Sequence, residues 1–377
     1  MSVPAELAVP LVTVAEEKVA AATQLQLTWW RFRKHKVAVA SGIVVILFYL
    51  AAVFADFLAV TPPHSTDSAR SYIPPQAVHL FDDDGSFKPH VYALKGRRDV
   101  RTFKLIYAPD PTDKRYLVWF AEGYSYDLFG LFAAKRHIIG LDRGIPEDAL
   151  YLLGTDQLGR DVWSRLMLAT RTSLTIGLFG VALSLFLGVL LGGVSGLYGG
   201  AIDTVIQRVI EILRSIPTIP LWMGLAAALP ADWSVTEVYI AITVIISLIG
   251  WTELARVVRG RFLALREEDF ITAAELAGAS RLRIIFRHMV PSFLSHIIAA
   301  ISLALPAMII SETTLSFLGL GLRPPAISWG VLLQDGQNIQ ALAHAPWLLF
   351  VAVPVIIVIL AFNFLGDGLR DAADPYG

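Results

Sequence analysis

One pair of residues in this sequence could form a nucleophilic site within apolar surroundings. Ser195 lies in the stretch Gly193-Val194-Ser195-Gly196, and His296 lies in a second apolar stretch. A histidine that accepts the serine proton would activate the hydroxyl for attack on a carbonyl carbon. Four-residue patterns of this kind are frequent in glycine-rich membrane helices, and Ser195 also fits a series of small residues. We therefore interpret Ser195 as a packing residue and keep catalysis as a distant alternative.

Other catalytic or cofactor chemistry has little support in the sequence. The chain contains no cysteine, which excludes disulfide bonds, thiolate zinc sites and a thiol nucleophile. It has no Gly-Lys dipeptide and hence no Gly-x-x-x-x-Gly-Lys-Ser/Thr phosphate loop, so we do not expect it to hydrolyse ATP. The net charge of −1 gives no indication of a nucleic-acid partner. We predict no catalytic residue, no metal ligand and no cofactor bound by this chain.

The elements that carry these residues are apolar enough to lie in a membrane. Hydrophobic residues make up 55% of the 377-residue chain, and its mean hydropathy is +0.60. A helix needs roughly 20 apolar residues to cross a bilayer. Six stretches meet or approach that length, namely 37–55, 172–202, 215–231, 238–252, 291–311 and 346–366. The sequence therefore predicts an all-α polytopic membrane protein with six transmembrane helices and a polar extracytoplasmic insertion after the first.

Positively charged residues predict the orientation of these helices. Basic residues at positions 31, 33, 34 and 36 precede the first apolar stretch, and arginines are concentrated between residues 256 and 290. Because loops rich in Lys and Arg remain in the cytoplasm, we expect both termini and the 256–290 loop there. No cleavable signal peptide is expected before the first apolar stretch. The predicted units are a cytoplasmic segment 1–36, a first transmembrane helix 37–60, an extracytoplasmic loop or small lobe 61–165, a core 166–367 with five transmembrane helices, and a cytoplasmic tail 368–377.

The polar insertion after the first helix permits two interpretations. The stretches Arg101–Tyr107 and Arg115–Phe120 alternate apolar and polar residues well enough to form short strands. A segment of this length could fold as a small lobe outside the membrane. It could also form an irregular loop packed over the helices, since long loops are usually either functional or disordered.

Two features of the apolar stretches bear on helix packing and polarity. Gly188, Gly192, Gly196 and Gly200 recur every four residues, which predicts a helix face that a neighbouring backbone can approach closely. Glu312 lies at the outer end of the fifth stretch, where a carboxylate is costly. We expect Glu312 either to be functional or to pair with a donor from the adjacent loop.

The segment from residue 268 to residue 291 is charged and rich in arginine within an otherwise apolar chain. Asp269 places negative charge where a helix would begin, and Gly278 lies where that helix should stop. Between them, Ala273 and Ala274 present only small side chains. This pattern predicts a short helix with a flat face that is suited to docking against another protein. An ordinary surface helical hairpin is the alternative.

The same segment resembles the cytoplasmic coupling loop of binding-protein-dependent ABC importer permeases. That loop reads Glu-Ala-Ala, three residues, Gly, nine residues, Ile-x-Leu-Pro, and this chain keeps the Ala-Ala, Gly and Pro at the same spacing. The Glu, Ile and Leu positions of the pattern are occupied here by Thr272, His288 and Val290. The resemblance implies a role in coupling to an ATPase subunit for Asp269, Thr272, Ala273, Ala274, Gly278, Arg283 and Pro291.

Three further stretches resemble the dipeptide and oligopeptide group of these permeases. They read LGTDQLGRD at Leu153–Asp161, LSFLGLG at Leu315–Gly321 and NFLGDGLRDAADP at Asn363–Pro375. Together with the coupling loop they occur in the right order, so the chain is similar to the second permease subunit of such an importer. A secondary transporter is a further alternative, although inverted repeats are not evident.

The resemblance implies a function and a set of partners. The chain would form half of a translocation pathway for peptides or similar small solutes in the bacterial plasma (inner) membrane. Oligosaccharides or metal chelates, such as those of nickel, are alternative cargoes, and no substrate-contacting residue is predicted. The partners would be a second, homologous permease, two ATPase subunits that bind ATP and magnesium, an extracytoplasmic substrate-binding protein and membrane lipid. The distant alternative for Ser195 and His296 is an intramembrane serine protease of the rhomboid type.

Overall fold

The computed structural model describes residues 24–98, 100, 105–142, 149–292 and 294–373. The chain begins with helices α1 (Gln24–Phe32), α2 (Lys36–Val53) and α3 (Ala55–Leu58). A lobe of six strands follows, and then come α4 (Val162–Tyr198), α5 (Gly200–Ser215), α6 (Thr218–Ala227) and α7 (Val235–Leu265). The remaining helices are α8 (Asp269–Leu276), α9 (Arg281–Arg283), a π-helix (Ile284–Met289), α10 (Val290–Ser292), α11 (Leu294–Phe317), α12 (Trp329–Gln334), a 3-10 helix (Asp335–Gln337), α13 (Ile339–His344), a second 3-10 helix (Pro346–Val351) and α14 (Ala352–Ala373).

Five helical segments in the described part of the chain are long and apolar enough to cross a membrane. They are Lys36–Val53, Val162–Tyr198, Val235–Leu265, Ile297–Phe317 and Pro346–Ala372. A sixth span is present only if α5 and α6 are counted together. The prediction of a helical polytopic membrane protein is confirmed.

The predicted third span, residues 215–231, is not a single straight helix. Helices α5 and α6 meet at an angle of 88°. Ile216, which joins them, is extended with ψ 131°, as expected for a residue that precedes proline. Pro217 has no backbone N–H to continue the hydrogen bonds of α5, so the helix ends before it. The chain therefore turns sharply at the position where the sequence places this proline.

Helix α4 begins and ends earlier in the chain than the apolar stretch that predicted it. Its first turn is capped by Asp161, whose carboxylate accepts a hydrogen bond from the backbone N–H of Ser164 at 2.8 Å. Its last residue is Tyr198, because Gly199 adopts φ +65° and turns the chain into α5. The helix thus runs from Val162 rather than from residue 172, and it stops before residue 202.

Glycines allow α4 to pack closely against α7. A Cβ built on Gly188 would lie 2.9 Å from the Leu254 side chain, and one on Gly192 would lie 2.8 Å from the Ala255 Cα and closer still to its carbonyl oxygen. A Cβ on Gly196 would lie 2.9 Å from the carbonyl oxygen of Arg259. Gly200 is outside α4 and has open space around it. The predicted small-residue face is confirmed for the first three glycines.

The polar insertion folds as a β-lobe. Its strands are β1 (His79–Phe81), β2 (Phe87–Arg98), β3 (Leu105–Trp119), β4 (Glu122–Leu128), β5 (Phe132–Arg136) and β6 (Ile139–Leu141). The first sheet has the order β1-β2-β3-β6, and β4 and β5 form a separate antiparallel pair. Residues 115–119 of the strand predicted at 115–120 form the end of β3, and residues 105–107 of the other predicted strand form its start. Residues 101–104 lie outside the described residues. These strands are an addition to the predicted all-α fold.

Candidate functional site

The segment between α7 and α11, residues 266–292, begins with the short helix that the sequence predicts. Helix α8 starts at Asp269, whose negative charge lies in the first turn, and it ends at Leu276. Gly278 then adopts φ +76°, a conformation that residues with a Cβ rarely adopt. Helix α7 continues as far as Leu265, so the first part of the predicted 256–290 loop is helical.

The two alanines of the small-residue pattern have different environments. Ala273 is exposed, as is its neighbour Thr272. Ala274 is half-buried and packs with buried Ile271 against the core beneath the segment. Of the pair, Ala273 therefore presents its side chain to the surface, while Ala274 packs toward the core.

Large apolar side chains extend this exposed surface. Leu276 is 85% exposed at the end of α8, and three further exposed apolar residues of the segment are Phe270, Leu282 and Phe286. Exposed apolar side chains are typical of contact surfaces where they form a contiguous patch. The small-residue pattern in the sequence does not include these four positions. Large apolar residues within a charged segment are the sequence feature that could have indicated an exposed apolar surface here.

The second half of the segment is fixed by polar and apolar contacts. The Ser280 hydroxyl caps α9 by accepting a hydrogen bond from the Arg283 N–H at 3.4 Å. Arg281 pairs with Glu275, and its guanidinium lies 5.9 Å from the ring centroid of Tyr198 at the end of α4. Arg283 itself is exposed, and Pro291 lies in α10 directly after the π-helix.

A single apolar core joins the segment to the membrane helices. Ile271 of α8 and the π-helix residues Ile284, Ile285 and Met289 are almost completely buried. They pack against α4 and α7 in a cluster whose other buried members are Val189, Leu197, Val258, Phe262 and Ile297. Because interiors of this kind are close-packed, a displacement of α8 would be transmitted directly to α4 and α7.

Polar contacts connect the same ends of α4, α5 and α7. Arg259 of α7 donates two hydrogen bonds to the Asp203 carboxylate of α5, at 2.5 and 2.6 Å. The buried Ser195 hydroxyl of α4 donates to Asp203 at 2.5 Å and accepts from the Gln207 amide at 3.2 Å. Ser195 is thus held within a structural network. The His296 side chain lies outside the described residues, so the Ser–His pair has no described geometry.

At the opposite end of α4, the LGTDQLGRD stretch forms a compact charged turn. The Asp156 carboxylate accepts a hydrogen bond from the Arg160 side chain at 2.7 Å and pairs with buried Arg165 of α4. Asp161, by contrast, caps α4 and leaves one carboxylate oxygen without a hydrogen-bond partner. Burial raises the pKa of Asp161 to about 6. At this end of the helix, the Asp156 carboxylate is therefore paired with two arginines, whereas burial destabilises the ionised form of Asp161.

Glu312 is buried within a group of hydroxyls at the same end of the bundle. Its carboxylate accepts hydrogen bonds from Ser173 of α4 at 2.9 Å and from Ser316 of α11 at 2.8 Å. Ser173 in turn accepts a hydrogen bond from the backbone N–H of Trp329 at 3.1 Å. Glu312 is therefore paired with hydroxyl donors, but these two lie in helices α4 and α11 and not in the adjacent loop, the position predicted for the donor. Ser316 belongs to the LSFLGLG stretch, which therefore lies beside Glu312. Within the part of the chain that the structure describes, no cluster of three or more His, Asp or Glu side chains could hold a metal ion.

Comparison with known proteins identifies the family. Residues 184–376 match the family described as the binding-protein-dependent transport system inner membrane component. The chain belongs to this family. Residues 23–75 also match the N-terminal transmembrane domain of oligopeptide transport permease C. This membership confirms the resemblance that the motifs indicated, and it makes the chain a membrane permease component.

Curated relatives are more than one-third identical to this chain over the aligned residues. The oligopeptide transport system permease protein OppC of Bacillus subtilis is 36% identical over 253 residues, covering 67% of this chain and 77% of its own. The dipeptide transport system permease protein DppC of the same organism is 37% identical over 234 residues, covering 62% and 71%. Among solved structures, an inward-facing MetNI methionine ABC transporter matches with a TM-score of 0.39 and 21% identity, covering 56% of this chain and 94% of that one.

Proposed function

We propose that this chain is a permease subunit of an ATP-driven ABC importer, and that residues 266–292 receive the movement of its ATPase subunits. One observation carries this proposal. Helix α8 exposes Ala273 and Leu276 on one side and packs Ile271 on the other into a core shared with α4 and α7. A helix of this kind can bind a moving partner and transmit the movement to membrane helices. The family membership supports the assignment.

Peptides are the proposed cargo. The similar curated proteins are named as oligopeptide and dipeptide permeases, and the N-terminal match is to an oligopeptide permease domain. Oligosaccharides and metal chelates are the competing cargoes. Because a permease shares the selection of cargo with its binding protein, uptake of each class with the cognate binding protein would decide between them.

The proposed complex contains a second permease, two ATPase subunits and a substrate-binding protein. The 266–292 segment and both termini would lie in the cytoplasm, and the β-lobe would lie outside. Its position after the first membrane helix supports a further role for the lobe at the entrance to the pathway, where the binding protein docks. In this arrangement ATP would be hydrolysed by the partners and not by this chain.

The coupling step is reciprocal in this proposal. Closure of the ATPase pair would displace α8, and the shared core would carry that displacement into α4 and α7. The cavity between the two permeases would then change the side to which it opens. Thermodynamic linkage requires that the state of the cavity alter the affinity of the ATPase pair for ATP by the same factor.

Substitution of Ala273 tests the coupling role. Ala273→Arg places a long charged side chain on the exposed side of α8 without disturbing the buried Ile271, so the subunit should fold normally. We expect loss of ATPase co-purification and of ATP-dependent peptide uptake in liposomes. Ala274→Arg is a poorer test, because Ala274 is half-buried and the variant would also disturb the core.

Ala231→Arg provides the matched control. Ala231 is also exposed, but it lies before the start of α7, whereas Ala273 lies in α8, after the end of α7. The 31 residues of α7 separate the two sites by roughly 45 Å at 1.5 Å per residue. The control should retain ATPase binding. Normal uptake and normal co-purification in the Ala273→Arg complex would contradict the coupling assignment.

A further inference from the structure

The turn between β4 and β5 exposes an unusual amount of apolar surface. Leu128 pairs with Phe132 across the hairpin, and the loop between them reads Phe129-Gly130-Leu131. Leu131 is 77% exposed, Phe132 is 65% exposed, and Phe129 is also exposed. Turns in water favour Gly, Pro, Asn, Asp and Ser, each for a local backbone reason. Three large apolar side chains at one tip therefore indicate a surface that something other than water covers.

The lobe holds this tip close to the end of a membrane helix. The Phe129 ring lies 5.7 Å from the ring of Phe54, which directly follows the last residue of α2. The lobe is attached three residues farther along the chain, where the Ile138 N–H donates to the Phe57 carbonyl at 2.9 Å. His137 contacts the Asp56 carbonyl at 3.0 Å. The hairpin tip is thus positioned by backbone contacts where α2 leaves the membrane.

The apolar surface of the tip is continuous with that of α2. This helix crosses the membrane and exposes Ile46, Leu47, Leu50 and Val53 along its length. Phe54 joins this exposed face to Phe129. The surface that covers the tip is therefore expected to be the same one that covers this side of α2.

Charged residues occupy the part of the hairpin farther from the tip, two basic residues on β5 and Glu122 on β4, which lies opposite Arg136. Lys135 and Arg136 are exposed near the end of β5, three and four residues beyond Phe132. At about 3.3 Å per residue they lie roughly 10–13 Å from the tip. This spacing fits apolar side chains at the acyl boundary and cations among lipid headgroups, the arrangement that interfacial anchors adopt.

We infer that the β4–β5 tip, residues Phe129–Phe132, inserts into the lipid leaflet on the lobe side and anchors the lobe to the membrane. The occupant is lipid, because the tip continues the exposed face of a spanning helix and is followed by basic residues at headgroup distance. This inference depends on the chain being a membrane protein and not on the cargo or the ATPase. Failure of the proposed function would leave it intact.

Site-directed spin labelling in nanodiscs tests the inference. The chain has no cysteine, so Leu131→Cys carries a single nitroxide label at the tip. Phe81→Cys is the matched control, because Phe81 is 62% exposed on β1, at the opposite edge of the sheet from β6 and its attachment to Phe57. We expect the label at residue 131 to collide more often with oxygen and several-fold less often with a water-soluble nickel chelate than the label at residue 81.

Two results would overturn the inference. Equal accessibility of both labels to the nickel chelate, in nanodiscs containing this chain alone, would show that no lipid covers the tip. Protection of residue 131 that appears only after addition of the second permease or the binding protein would assign the tip to a protein interface instead. A Leu131→Asp/Phe132→Asp variant provides a second measurement, with an increase in the proteolysis of the lobe expected in nanodiscs and no change expected for Phe81→Asp.

Discussion

Replacement of Gly192 by alanine tests how tightly α4 and α7 are joined. In most helices this change is stabilising, because alanine has a helix propensity about 1 kcal/mol better than that of glycine. Here the new Cβ would lie 2.8 Å from the Cα of Ala255 and 3.0 Å from its carbonyl carbon, with the carbonyl oxygen closer still. These are backbone atoms, so no side chain can rotate away, and the helices must separate locally.

The expected cost follows from measured effects of overpacking. Insertion of one methyl group into a close-packed region costs about 1–3 kcal/mol. Because the clashing atoms belong to the backbone, we expect the upper end of this range, and the gain of about 1 kcal/mol in helix propensity then leaves a net cost of about 2 kcal/mol. At roughly 2–4 °C per kcal/mol, the figure for domains of about 150–250 residues, Gly192→Ala should lower the melting temperature of the purified subunit by several degrees. Gly260→Ala is the control, because Gly260 lies in α7 with no atom within 4 Å of a Cβ there. We expect its melting temperature to stay constant or to rise.

Thermal unfolding in detergent, followed by circular dichroism, would measure both variants under identical conditions. If Gly192→Ala melts at the wild-type temperature, the close approach of the two backbones does not exist, and the proposed transmission of movement from α8 through this pair of helices loses its basis.

Three other variants test separate parts of the structure. Ser195→Ala should retain uptake and lose about 1 kcal/mol of stability, because the hydroxyl only supports the Asp203 network, and loss of a proteolytic activity in that variant would favour the protease alternative. Asp161→Asn should keep the cap of α4 but change the pH dependence of unfolding. The pKa of Asp161 is raised from 3.8 to about 6, so the folded state binds this proton more tightly, and the stability contributed by this residue falls as the pH rises from about 4 to 6. The asparagine variant should lack that decrease, and an identical pH profile would contradict the assignment. Glu312→Ala should destabilise the subunit by about 1–3 kcal/mol, since it leaves the Ser173 and Ser316 hydroxyls without their acceptor, whereas Glu312→Gln should lose less in the same melting assay.

Local patterns in the sequence predicted those features that depend on neighbouring residues. The four-residue spacing of Gly188, Gly192 and Gly196 predicted a close helix contact, because helical geometry alone puts them on one face. Pro217 predicted a break in the third apolar stretch, because a proline has no backbone N–H to continue a helix. The start of α4 was missed because Asp161 caps the helix from within a polar stretch that reads as a loop.

Features that depend on tertiary contacts could not be predicted in this way. The sequence treats Ala273 and Ala274 alike, and only packing against the buried cluster around Ile271 distinguishes them. The order of strands in the lobe and the partner of Ser195 likewise arise from contacts that no local pattern encodes. The position of the β4–β5 tip beside Phe54 likewise depends on long-range contacts, among them the hydrogen bond between Ile138 and Phe57.

The central claim is that α8 docks against an ATPase subunit and responds to its nucleotide state. The most direct measurement uses the cysteine-free chain with Ala273→Cys, reconstituted with and without the ATPase subunits, and follows the rate of thiol modification by a water-soluble maleimide. Binding of the ATPase should slow modification at residue 273, ATP with vanadate should change that rate again, and Ala231→Cys should respond to neither addition. An Ala273→Cys thiol that reacts at one rate in all of these states would contradict the claim.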